Sequence, residues 1–152
     1  MTSASSNVPQ ITAQLVSRQA VWSLDFAAWC GERSPMPTIR DLVSALRRRE
    51  GVDAAIVLGR DGLLIDGASV GALDPDGLAA WVPPMVAAAI DMGTAAGRGE
   101  FGLMVLEYGA GTAIVTAVSN DALLLVLLDS TANLPALLYD MRRHRAQIAA
   151  LV

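Results

Sequence analysis

The chain has 152 residues, of which 53% are hydrophobic and only 17% charged, a balance that describes one small, apolar-rich soluble domain with a single core. Its formal charge of −4, with all 11 basic residues arginine and no long block of like charge, excludes a nucleic-acid backbone as the natural partner. Cys30 stands alone and forms no intramolecular disulfide, and no positively charged segment followed by an unbroken apolar run opens the chain, so a cytoplasmic protein is expected. More apolar side chains are present than a monomer of this size can hide, which points to self-association.

Residues 1–10 are small and polar and are expected to be disordered. Apolar residues return at Ile11, Leu15, Trp22, Phe26 and Trp29 with helical spacing interrupted by Arg18, so residues 1–37 read as an N-terminal extension carrying a helix over 11–30. After a Pro-containing linker, Thr38 caps a helix with Ile39, Leu42, Val43 and Leu46 on one face. Arg47, Arg48 and Arg49 fall in its last turn, where the helix dipole favours cations, and read as a solvated face, with Gly51 as the stop.

Two apolar runs, Ala54 to Leu58 and Leu63 to Ile65, flank Gly59-Arg60-Asp61-Gly62, and Asp-Gly between such runs predicts a β-hairpin. Asp74-Pro75 then opens a second helix, with Asp as the cap and Pro at the first position. Leu78, Trp81, Val82, Met85, Val86 and Ala89 form its apolar stripe, and Gly97 or Gly99 closes it. Pro83-Pro84 falls in the interior, so a kink or a break is expected there. Three extended runs follow, Leu103 to Tyr108, Thr112 to Val118 and Ala122 to Leu128, joined by connections short enough for an antiparallel meander. The last of them is apolar at every position, so it must be covered on both faces, and it is far too short to cross a bilayer. Asn133 and Pro135 open a final helix whose inner side carries Leu134, Leu137, Leu138, Met141 and Ile148, with His144 or Arg145 beside them.

The fold class is therefore α+β, with element order α-ββ-α-βββ-α. This order resembles the Roadblock family, the dynein-light-chain-like regulators of small GTPases that include the bacterial MglB type. Four features carry the resemblance: Gly51-Val52 leading into an apolar strand, the Arg60-Asp61-Gly62-Leu63 hairpin, the long Ala-rich second helix, and the passage Val118-Ser119-Asn120-Asp121-Ala122-Leu123-Leu124 into the final strand, all in this order between Thr38 and Val152. It implies a profilin-like five-stranded antiparallel sheet over residues 38–152 with helices on both faces, the first and last on one and the second on the other, and the Ala122–Leu128 strand at the centre. It also implies a homodimer whose interface involves Trp81, Val82, Met85, Val86, Leu103 and Val105. The GTPase contact would fall at Trp81 and Met85, with Arg98 a further candidate. Two departures from the family pattern are Pro83-Pro84, inside the helix that pairs across the family's dimer interface, and the additional first 37 residues.

No chemistry of another kind is signalled. Gly97 to Gly102 matches a dinucleotide-binding string, but it follows a helix and precedes a strand, the reverse of the arrangement that aims a helix N-terminus at a pyrophosphate. The carboxylates of Asp61 to Asp66 and Asp74 to Asp76 lack the ligand spacing of a calcium loop and read as turn and cap residues. One His and one Cys make no zinc site, and no Ser has the surroundings of an activated nucleophile. His144 reads as a helix-rim residue. The expected protein is thus not an enzyme, needs no cofactor or metal and does not insert into membranes. It is a homodimeric regulator binding a Ras-like small GTPase and modulating its hydrolysis or signalling, or else a ligand-sensing or scaffold domain with no GTPase partner.

Overall fold

A computed structural model of the chain describes residues 37–152; the expected N-terminal extension, including the helix over 11–30, lies outside them. Helix α1 (Ile39–Arg47) starts with a reciprocal capping arrangement: the Asp41 amide donates to the Thr38 hydroxyl, and the Asp41 carboxylate accepts from the Thr38 amide at 2.8 Å. These bonds from Thr38 hold the Asp41 carboxyl below the usual carboxylate range. Leu42, Val43 and Leu46 are buried by the helix's inner face. Gly51 then turns the chain at φ +79°, and a Cβ there would lie 2.6 Å from the Ala132 backbone, so only glycine fits between α1 and the loop that leaves the central strand.

Strands β1 (Val52–Gly59) and β2 (Leu64–Ser69) form the predicted hairpin, closed by Gly62 N donating to Gly59 O at 3.0 Å. Helix α2 (Pro75–Ala95) crosses to the meander of β3 (Leu103–Tyr108), β4 (Gly111–Ala117) and β5 (Ala122–Leu128). The fully antiparallel sheet runs β2-β1-β5-β4-β3, so β5 lies at its centre between β1 and β4. Helices α3 (Leu134–Arg143) and α4 (Arg145–Ala149) complete the chain.

Two cores sandwich the sheet, as a run with no polar position requires. On one face, Ala122, Leu124, Val126 and Leu128 of β5 pack with Leu42 and Leu46 of α1, Leu137 and Met141 of α3, and Ile148 of α4. On the other, Leu123 and Leu125 pack with Ala79, Val82 and Val86 of α2. Each such Leu, Val or Met contributes on the order of 1.5–3 kcal/mol when fully buried. Removing either helical layer therefore exposes more apolar surface than a small domain tolerates.

Four local expectations need correction. Helix α2 is not broken at Pro83 and Pro84, so the break among the two expected outcomes does not occur; its inner residues on both sides, Val82 and Val86, are anchored in the sheet core. Asp74 occupies the N-cap position of α2 but makes no capping hydrogen bond with its side chain. The three arginines after α1 are not one solvated face: Arg47 donates to the Val52 carbonyl, and only Arg48 is exposed. Arg49 meets Asp140 of α3 at 2.8 Å, with both side chains less than a tenth exposed. Finally, the last helix is interrupted at His144, whose ring Nδ1 faces Gln147 Oε1 as the chain restarts into α4. Arg145 there is exposed rather than on the inner side.

Candidate interaction surface

Helix α2 is apolar nearly all round, with Asp76 and Asp91 its only charged residues. Ala79, Val82 and Val86 point into the sheet and are buried, and Leu78 and Met85 pack half-buried beside them. The opposite side carries Ala80, Trp81, Pro84, Ala87, Ala88 and Met92, all exposed, with Trp81 at 72% and Met92 at 70%. Their spacing of three and four residues makes a continuous stripe along the helix. By length and composition alone α2 is able to cross a membrane; with its inner stripe docked on the sheet, the helix instead presents half of its apolar surface outward. It is a large apolar face that the described residues leave uncovered.

A second open surface is the β3 edge of the sheet, since among the described residues β3 pairs only with β4, while α2 packs nearest β1 and β2. Ala117 N donates to Gly102 O at 3.3 Å, which fixes the alternation of the ladder. Counting from that hydrogen-bonded pair, Leu103, Val105 and Glu107 stand opposite Thr116, Ile114 and Thr112 as non-hydrogen-bonded pairs. Their N–H and C=O groups point away from β4, toward the free edge. Val105 is 39% and Tyr108 59% exposed there. A row of available donors and acceptors flanked by apolar side chains is a template for a further strand.

The residues expected at the interface thus separate. Trp81 projects outward and Val105 sits on the open edge, while Leu103 is half-buried at the start of the same edge. Val82 and Val86, expected between protomers, are instead covered by the chain's own sheet, and Met85 is partly covered by it. Trp81 and Val82 are adjacent in sequence but about 100° apart around the helix, so they cannot share a face. Arg98 is exposed beyond the far end of α2. Gly97, at φ +63°, donates to Thr94 O, and Arg98 N donates to Gly93 O at 2.9 Å, a glycine-dependent stop of the Schellman kind. The helix runs on from Trp81 for 14 residues, to Ala95, which at about 1.5 Å per residue puts Arg98 roughly 20 Å or more away, so the two do not form one contact point within a chain. Ala87, Ala88 and Met92 complete the outward stripe and were missed in the sequence; continuing the helical period from Trp81 would have found them.

The residues singled out for other chemistry are placed apart from this surface. Gly97 to Gly102 connects α2 to β3, so no helix begins there. Among the described residues, no group of three His, Cys, Asp or Glu side chains is gathered to hold a metal ion.

Comparison with known proteins places this geometry. The Roadblock/LC7 domain family matches residues 38–128. Among solved structures, MglB in a tetrameric arrangement is similar, with TM-score 0.67 and 21% identity, over 74% of this chain and 85% of that one. The gliding protein MglB from Thermus thermophilus gives TM-score 0.65 at 22% identity, over 74% and 86%. A Roadblock/LC7 domain from Streptomyces avermitilis gives 0.66 at 21%, over 74% and 96%. At these identities the likeness is one of fold. No curated protein sequence matches the chain.

Proposed function

The chain belongs to the Roadblock/LC7 domain family, and from that premise we propose that it is a non-enzymatic, homodimeric module that binds a Ras-like small GTPase and modulates its GTP hydrolysis or signalling. The observation that supports this reading is the presence on one chain of two surfaces suited to self-association, the outward apolar stripe of α2 and the open β3 edge. Two-fold pairing of β3 with its copy would satisfy the edge groups of Leu103, Val105 and Glu107, extend the sheet across both chains and bring the two α2 stripes side by side. The resulting apolar helical platform, with Asp91 its one charged group, has the character of a protein-docking surface rather than of a substrate pocket. The tetrameric arrangement reported for MglB supports self-association as a property to carry over. A cytoplasmic location belongs to the same proposal.

On this reading, Trp81 and Met92 contribute to the platform, Val105 to strand pairing, and Arg98 to the periphery of the GTPase contact. Hydrolysis would be altered by repositioning the GTPase's own residues rather than by insertion of an arginine. The test is co-purification of the full chain with a candidate Ras-like GTPase held in GTP-like and GDP states. Nucleotide-dependent retention is expected. Failure of either state to bind at micromolar concentration, across the small GTPases of the same cell, would remove the reading.

A further inference from the structure

At the end of the sheet where β1 and β4 finish lies an open cleft of about 860 Å³ that the dimer and GTPase surfaces do not use. Four arginines from separate segments line it: Arg60 in the β1–β2 turn, Arg142 and Arg143 at the end of α3, and Arg145 at the start of α4. Phe101 and Ile90 form an apolar wall, and Glu100 is the one acidic residue of the lining. Backbone geometry sets up the convergence. Arg60 N donates to Asp121 O at 3.0 Å, which ties the first hairpin turn to the β4–β5 turn, and the interruption at His144 redirects the chain so that Arg145 follows Arg142 and Arg143 around the same opening.

The protein carries 15 acidic against 11 basic residues, yet four of those 11 collect at this one opening. None of the four forms an ion pair among the described residues, where the two ion pairs are Arg40–Asp66 and Arg49–Asp140, and Glu100 offsets only part of their charge. Arg143 donates only to the Tyr139 hydroxyl, at 3.2 Å. Placement at and just past the α3 C-terminus accounts for Arg142, Arg143 and Arg145 through the helix dipole, but not for Arg60 on a β-turn at the other side of the opening. Gathering like charges around a cleft costs energy that a bound anion offsets, and clefts lined by one sign of charge concentrate the field.

We propose that this cleft binds a small molecule bearing two or more phosphate groups. Guanidinium forks match phosphate oxygens in bidentate geometry, the volume falls within the range of small-molecule sites, and the Phe101–Ile90 wall can cover an apolar portion of an organic phosphate. The proposal is independent of the GTPase reading, since the cleft shares no residue with the α2 stripe or the β3 edge.

Calorimetric titration of the full chain with sodium tripolyphosphate, and separately with ATP, tests it at fixed ionic strength. Saturable binding of tripolyphosphate is expected, with ATP tighter if the apolar wall is used and equal if only the phosphates are held. Arg60→Gln and Arg142→Gln should each weaken binding by about tenfold. Arg40→Gln, which removes the same charge at an exposed site elsewhere, should change it less than about twofold. All three side chains are exposed, so the variants keep the wild-type circular dichroism. Absence of saturable binding below millimolar concentration, or equal loss in Arg40→Gln, overturns the proposal. So does binding of a polyglutamate peptide with no response to tripolyphosphate, which would make the cleft a docking site for an acidic protein segment.

Discussion

Replacing Trp81 with Ser separates association from folding, because the side chain stands outside the monomer's core. A tryptophan buries roughly 150–250 Å² when fully covered, and 72% of the residue is exposed in the single chain, which leaves about 110–180 Å² for a partner to cover. At about 25 cal/mol/Å² that amounts to ~3–4.5 kcal/mol per protomer as an upper bound. Side-chain ordering and incomplete coverage reduce it, yet a surviving ~2 kcal/mol across the interface raises the dissociation constant about thirtyfold. Sedimentation equilibrium of wild type and Trp81→Ser over micromolar concentrations measures this directly. Melting of the dissociated variant should stay close to that of dissociated wild type. Val82→Ser supplies the opposite signature: Val82 is fully buried, so the change leaves a void and an added hydroxyl in the sheet core and lowers the melting temperature. An unchanged dimer in Trp81→Ser would refute the α2 platform, and wild type sedimenting near the monomer mass of 15.9 kDa at micromolar concentration would refute the dimer itself.

The β3 edge gives a second test: Val105→Pro removes a donor directed away from β4, so it should dissociate the dimer while sparing the fold, and chemical crosslinking that stays at wild-type yield would contradict the pairing. Arg98→Ala should weaken GTPase binding but leave the hydrolysis rate at saturating protein nearly intact; a loss of roughly a thousandfold with binding preserved would identify an inserted arginine and sink the repositioning mechanism. Leu125→Asp places an unpaired carboxylate between α2 and the sheet and should prevent folding, so soluble protein with wild-type circular dichroism would remove Leu125 from the core. Hydrogen bonds from Thr38 and Thr131 hold the Asp41 and Asp129 carboxyls below their usual range, so their contribution is full above about pH 4 and is lost as pH falls through the lowered values. Asp41→Asn with Asp129→Asn should flatten the acid limb of the stability curve, and an unchanged slope between about pH 4 and 2 would count against it.

What could be read from the chain in advance follows from where information is local. Ala122 to Leu128 has no polar position, so two-sided burial was legible, and the hairpins announced themselves through Asp61-Gly62 and Gly109-Ala110. Thr38 with Asp41 marked the start of α1 for the same reason, since both partners lie within one turn. The facing of α2 was not legible, because a helix that is apolar on every side has no polar stripe to show which residues meet the sheet. Val82 and Val86 were therefore grouped with Trp81. The partner of Arg49 was hidden differently: Asp140 lies 91 positions away, and three consecutive arginines at a helix end have a sufficient local explanation. The same distance effect concealed the cleft, where Arg60 meets residues from the far end of the chain.

The consecutive prolines of α2 give its outer face a property that its side chains lack. The carbonyl of Ala80 would ordinarily accept from the residue four positions on, or three in a tighter turn, and those residues are Pro84 and Pro83, neither of which has an N–H. An acceptor without an intrahelical donor is thus left next to Trp81, on a stripe whose one charged group is Asp91, more than two turns further on. An apolar surface alone tolerates sliding, since any offset covers similar area. A carbonyl that must be met by a donor does not, because covering it unpaired costs about 1–3 kcal/mol. If α2 is the docking face proposed above, a partner helix or loop that offers a hydroxyl or amide at that one position would be held in a single alignment, and the prolines would mark where along α2 it stops.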